Sequence, residues 1–157
     1  PGFKMVSNGS FFVNIFFILI LISSIKCIQV KKVHSSDPKF HVYSSDVEND
    51  KRIPDKFTPQ GEDVAPQIYW ENSPSETVSF AFVNYDTDAS PLFTHYVLVN
   101  IPSNVNNLKD ALANSSSEEI TNSWGFKHYM GPKPPVGKPH HYHYRVYALS
   151  TLIRETT

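Results

Sequence analysis

The chain has 157 residues, with 14 Lys and Arg against 15 Asp and Glu, seven His and a single cysteine, Cys27. A near-neutral balance without a basic stripe excludes the electrostatic footprint of a nucleic-acid binder. The length suits one domain whose core folds without disulfides, and a lone cysteine could form none within the chain.

Twelve prolines interrupt long helices, while eleven Phe and eight Tyr suit pleated, half-buried surfaces, so composition points to an all-β fold. At the N-terminus, residues 11–22 form an apolar run broken only by Asn14, preceded by Lys4 and followed by Ser23, Ser24, Ile25, Lys26 and Cys27. About a dozen apolar residues fall short of the roughly 20 that cross a bilayer. Residues 1–27 are therefore expected to be a secretory signal peptide, or residues 5–27 if Met5 is the initiator, with cleavage after Cys27. The rival readings are an uncleaved anchor and lipid attachment at Cys27, and Lys26 is a poor residue to precede a lipidated cysteine. Without Lys4 and Lys26, 12 Lys and Arg face 15 Asp and Glu, a net of −3. Protonating the histidines below about pH 6.5 would shift that balance positive.

Residues 28–39 are polar and aperiodic and read as a leader to a domain over residues 40–157. Residues 40–44 alternate like a first strand, 46–51 form a charged turn, and a turn-rich loop at 61–66 runs into a short strand at 67–70. Residues 77–85 are rich in β-branched and aromatic side chains and read as a half-buried strand, with Asp86 following directly. His95 opens the next such run, 95–101, and a hairpin joining the two would bring Asp86 and His95 to one end of a sheet. Residues 103–120 are the helical candidate, with Leu108, Ala111 and Leu112 at helical spacing after Asn106 or Asn107 as caps. Asn114-Ser115-Ser116 is an N-glycosylation sequon, meaningful only in a eukaryotic secretory pathway. The last strand-like run, 141–149, begins beside His140. Short strands separated by turn chemistry argue for a sandwich or barrel rather than βαβ units.

One carboxylate and two histidines, Asp86, His95 and His140, thus fall where strands end or begin. If the third strand pairs in the right direction they share a rim, a combination equally open to an anion or, as two His and one carboxylate, to a metal.

The ordered set Gly61-Glu62-Asp63-Val64-Ala65-Pro66 with Trp70, Tyr85-Asp86-Thr87-Asp88-Ala89, His95-Tyr96-Val97-Leu98-Val99-Asn100-Ile101-Pro102, Gly131-Pro132-Lys133-Pro134-Pro135, His140-His141-Tyr142 and Val146-Tyr147-Ala148-Leu149 resembles the phosphatidylethanolamine-binding protein family, which includes Raf-kinase-inhibitor-like proteins and bacterial relatives. The resemblance implies two antiparallel β-sheets with Greek-key connections, small peripheral helices and an anion pocket near the surface. It places the pocket aspartate at Asp86, the two histidines at His95 and His140, the proline pair at Pro134 and Pro135, and a tyrosine at Tyr142. Asp86 is expected to accept a hydrogen bond from one imidazole, or from a ligand ammonium, and Asp88 to be a turn residue. His140 and Tyr142, two apart on a strand, would share a face, with His141 and His143 opposite.

The pattern departs from the family at four places. Ser90 stands where a proline usually follows the Asp-x-Asp-Ala stretch, with Pro91 one later. Phe93 replaces a tryptophan wall, and His141 replaces the arginine of a His-Arg-Tyr signature. Relatives also continue past the position of Leu149 into a closing helix and strand, so truncation of the domain is expected. The reading implied is a non-enzymatic module that needs no cofactor or metal. It would bind a small anionic ligand or phospholipid head group in a surface pocket, with a regulatory or inhibitory role toward a kinase or protease. The alternatives are a metal-dependent enzyme using the two-His-one-carboxylate set and a secreted protease inhibitor. No Gly-x-Ser-x-Gly elbow supports a serine hydrolase.

Overall fold

The computed structural model describes residues 39–154 and the backbone of residues 2–5. The apolar run at 11–22, the cleavage position at Cys27 and most of the 28–39 leader lie outside the described residues. Within them no helix is long and apolar enough to cross a membrane.

The expected all-β architecture is present. Strands β1 (Gly2–Met5), β7 (His141–Leu149), β4 (Ser79–Asp86), β5 (Phe93–Pro102) and β6 (Glu118–Ile120) stand side by side in that order in one sheet, and β2 (His41–Ser44) pairs with β3 (Ile68–Glu71) in a second. Neighbours are antiparallel except β1, which runs parallel to β7. In the first sheet β4, β5 and β6 follow as a meander and β7 returns by a long connection to lie beside β4, the order of a Greek key.

The larger core lies between the sheets. Phe80, Phe82, Tyr96, Leu98, Tyr142 and Tyr144 from the first sheet meet Val42, Ile68 and Trp70 from the second. Each such side chain, nearly or fully removed from water, contributes roughly 1.5–3 kcal/mol by the hydrophobic effect. Trp70 also donates its indole N–H to the Val105 carbonyl at 3.0 Å, satisfying a polar group that burial would otherwise penalise. The opposite face of the five-stranded sheet carries a second cluster of Ala81, Val83, Tyr85, Val97 and Val99. Every residue of β4 is therefore buried, and the half-buried strand expected there is corrected: apolar side chains occupy both of its faces.

The helix α1 is shorter than expected, spanning Leu108–Ala113, with the Asn107 side chain accepting from the Asp110 N–H as cap. It buries Leu108 and Ala111 but leaves Leu112 exposed. The C-terminal part of the expected helical region is instead β6, because Glu118–Ile120 pairs with Val97, Leu98 and Val99 of β5. There Glu119 takes the Tyr96 hydroxyl and Glu118 the Asn100 amide at 2.8 Å, side-chain bonds that a continued helix would not supply. Asn114 lies in the exposed turn between α1 and β6.

Candidate anion-binding cleft

Two irregularities in the pairing of β4 with β5 decide which side chains reach the site. Near its start β5 has one residue more than β4, since Asn84 faces Tyr96 while Tyr85 faces Thr94, leaving His95 as the additional residue. Strict alternation would send His95 to the face opposite Tyr96. The bulge turns it onto the same face, where its ring meets the edge of Tyr142 at 5.3 Å between centroids. A second bulge near Asn100, at a φ of 56°, lets both Leu98 and Ile101 enter the larger core.

Beyond the bulge Asp86 faces Phe93 on one side and Tyr142 on the other. Asp86, Asp88, Ala89, Ser90, Phe93, His95, Trp124, Lys133, Pro134, Pro135, His140 and Tyr142 line a cleft of about 370 Å³. All six residues named from the sequence, Asp86, His95, Pro134, Pro135, His140 and Tyr142, are thus brought to one cavity.

Asp86 is 4% exposed. Its Oδ2 accepts the His140 Nδ1–H at 2.6 Å and its Oδ1 the Asp88 backbone N–H at 2.8 Å. It is also hydrogen-bonded to the Tyr142 phenol, whose pKa burial and then the Asp86 charge push up. The carboxylate thus orients an imidazole, as expected, and its oxygens are already engaged by the protein.

His95 is 3% exposed. Its Nδ1–H donates to the Met130 carbonyl at 2.7 Å, while the Met130 N–H returns to the His95 carbonyl at 3.3 Å. Burial pushes the His95 pKa below the usual imidazole value, against smaller opposing pulls from the Met130 carbonyl and Asp86.

The loop from Asp86 to Phe93 is tied to the start of β7. Asp88 Oδ2 accepts the His141 backbone N–H at 2.6 Å and the His141 Nδ1–H at 2.8 Å, and the Thr87 N–H donates to the His141 carbonyl at 3.2 Å. The backbone and side-chain bonds from His141 hold the Asp88 carboxyl below the usual range. Asp88 is thus the turn residue expected, with β7 as its partner. The Ser90–Pro91 peptide is cis, and Ser90 lines the cleft. His143, as expected, is on the other face, stacked on Tyr85 at 5.3 Å.

Two lining residues were not foreseen. Trp124 packs edge-on against Phe93 at 5.2 Å and completes an aromatic wall that Phe93 begins. It is positioned by the buried Asn122, whose Oδ1 accepts the N–H groups of Trp124 and Phe126 and whose Nδ2 donates to the His95 and His128 carbonyls. Lys133 also lines the cleft. Trp124 and His95 are far apart in sequence, and the Ser123 contacts with Thr94 and the Asn122 bond to the His95 carbonyl join their segments. Among the described residues no group of three His, Cys, Asp or Glu could hold a metal ion.

The sequence profile headed Phosphatidylethanolamine-binding protein matches residues 43–156. The chain belongs to the phosphatidylethanolamine-binding protein family. A UPF0098 protein of Methanothermobacter thermautotrophicus is 37% identical over 112 residues, which cover 67% of this chain and 74% of that protein. The UPF0098 protein YbcL of Escherichia coli is 36% identical over 105 residues, 60% of this chain and 57% of YbcL. The YbcL crystal structure, described as a new member of the mammalian family, superposes with a TM-score of 0.69 at 27% identity, covering 76% of this chain and 82% of YbcL as crystallised. This family chain thus shares the fold of its relatives while spanning only about half to three-quarters of the lengths of these two.

Proposed function

We propose that the cleft binds a small anionic, phosphate-bearing head group and that the chain is a non-enzymatic binding module. The observation that carries this reading is the convergence of His95, His140, Trp124 and Lys133 around a carboxylate, Asp86, whose oxygens are already hydrogen-bonded by His140 and the Asp88 amide. Imidazole, ammonium and indole N–H groups can all donate to phosphate oxygens. The prolines Pro134 and Pro135 stiffen the rim, so little conformational entropy is lost on binding. Phe93 and Trp124 offer a flat apolar wall to the organic part of the ligand. A cavity of about 370 Å³ is of head-group size.

The wider role proposed is regulatory. A head group held at the mouth would alter a surface that engages a protein, and secretion through the segment at 1–27 would make that partner extracellular, a protease rather than a cytosolic kinase. Titration with inorganic phosphate and phosphorylethanolamine, followed by histidine NMR shifts, should saturate in the wild type and weaken in His140→Ala. Unchanged binding in that variant would remove the assignment. Metal analysis of the purified protein tests the metalloenzyme alternative, which requires stoichiometric metal that is lost in His95→Ala.

A further inference from the structure

We propose that Asn114 is a site of N-linked glycosylation, carrying an oligosaccharide at the end of the five-stranded sheet away from the cleft. The proposal rests on the secretory reading of residues 1–27 and is independent of the head-group reading.

Asn-x-Ser or Asn-x-Thr, with x other than proline, is the acceptor sequence for this modification. The chain contains it twice, at Asn8-Gly9-Ser10 within the segment expected to be removed and at Asn114-Ser115-Ser116. The second lies between α1 and β6, where Asn114 leaves helical geometry at a φ of −90° and a ψ of 121°. Its Oδ1 accepts the Ser116 N–H at 2.9 Å and its carbonyl the Ser117 N–H at 3.0 Å, so the triplet turns back on itself. That turn ties the amide to be modified to the hydroxyl-bearing residue that completes the motif. Ser115 and Ser116 are exposed and Asn114 is half-buried. Its Nδ2 has no hydrogen-bond partner among the described residues, so substituting that nitrogen breaks no bond of the fold. Asn84, Asn100 and Asn122, in contrast, each commit Nδ2 to a partner within the protein.

The co-reactant is an oligosaccharide joined through its anomeric carbon to a lipid pyrophosphate, the donor supplied in the secretory pathway. Nδ2 forms a bond to that carbon as the carbon–oxygen bond to the pyrophosphate breaks, one Nδ2 hydrogen leaves as a proton, and the lipid pyrophosphate is the leaving group. Oδ1 takes no part, so the Ser116 bond is compatible with the product. The placement suits a bulky polar group. β6 is antiparallel to β5 with Glu118 facing Val99, so residues 114–117 lie toward the Pro102 end of β5. The cleft is at the Phe93 end, about 20 Å away along the strand, and stays open. Among the described residues β6 is the last strand of its sheet, and Leu112, two residues before Asn114, is exposed. An oligosaccharide at Asn114 hinders pairing of that edge with another chain.

The test is translation of the full chain in the presence of endoplasmic-reticulum vesicles, with protection from added protease reporting entry and electrophoresis reporting mass. The protected chain should gain the mass of one core oligosaccharide and lose it on treatment with peptide-N-glycosidase, which leaves an aspartate at position 114 for mass spectrometry to locate. Asn114→Gln should abolish the shift, and Asn8→Gln should leave it unchanged. Ser116→Ala, which keeps the backbone N–H of the turn but lacks the hydroxyl, should abolish it as well, while Ser116→Thr should retain it. These variants are read before folding is complete, so a fold defect does not mask the result. A protected chain with unmodified Asn114, or a shift that persists in Asn114→Gln, would overturn the proposal alone. A chain that stays accessible to protease would overturn it together with the secretory reading.

Discussion

Asp86 and His140 are held 2.6 Å apart, Oδ2 to Nδ1, the first closing β4 and the second standing just before β7, and both side chains are largely buried. Each would be costly alone. A buried carboxylate without its imidazole loses a charge-assisted hydrogen bond, and the imidazole without the carboxylate loses the acceptor that sets its tautomer.

Asp86→Ala should therefore destabilise the fold by about 2–4 kcal/mol, more than a surface deletion, because the His140 ring, the Asp88 N–H and the Tyr142 phenol all lose a partner. Asp86→Asn, which keeps one acceptor oxygen, should cost less. Urea denaturation of the two variants, read as a change in midpoint at constant slope, checks the order.

His95 should make stability fall on acidification. Its folded-state pKa lies below the unfolded value, so between the two the unfolded chain binds the proton first. The stabilising difference is complete above the unfolded value of about 6.5 and is lost as pH drops from there toward the folded pKa. His95→Gln should flatten this part of the curve in thermal melts at a series of pH values. An identical slope in that variant would reassign the effect to another group.

Asp88 acts in the same direction, in a lower pH window. Its carboxyl is held low by bonds from His141, so its contribution is present above the ordinary value of about 3.9 and lost as pH falls through the lower folded value. The pair is solvent-exposed, and screening keeps its effect on global stability small. The visible consequence should be local: Asp88→Asn should speed amide exchange at Asp88 and His141, with little change in melting temperature.

Gly131→Ala should be strongly destabilising, by roughly 1–3 kcal/mol or more. A methyl group there would run into the Asp63 carboxylate, the Phe57 carbonyl and the Thr58 Cα, two of them backbone atoms that cannot swing away. The Gly131 N–H also donates to Asp63 Oδ1 at 2.8 Å, next to the Met130 carbonyl that sets the His95 ring. The variant should therefore shift the His95 imidazole resonances as well as lower the melting temperature.

Much of the site was legible because its residues lie in short stretches with recognisable order. Asp86 closes one strand, His95 enters the next, and His140 and Tyr142 flank the start of a third, so antiparallel pairing alone brings three of them to one rim. Trp124 and the Met130 carbonyl were not legible in this way. Trp124 sits in an irregular loop whose position depends on buried Asn122 bonding back to the His95 carbonyl. The Met130 contact is made by a backbone atom, which every residue carries and which therefore leaves no mark in composition.

The family resemblance supplied Pro134, Pro135 and Tyr142 to the cleft, while the residues by themselves determined the all-β class, the strands β4, β5 and β7, the capped helix and Asp86, His95 and His140 at strand ends. These follow from local chemistry: β-branched and aromatic runs, an Asn cap, prolines, and polar residues at strand ends. Only the tertiary structure decided that β4 is buried on both faces, that residues 118–120 form an edge strand rather than a helix, and that His95 faces inward. The last depends on one extra residue in β5 opposite β4, a register between strands that neither strand states alone. That bulge directs His95 to the cleft, where the Met130 carbonyl holds its Nδ1.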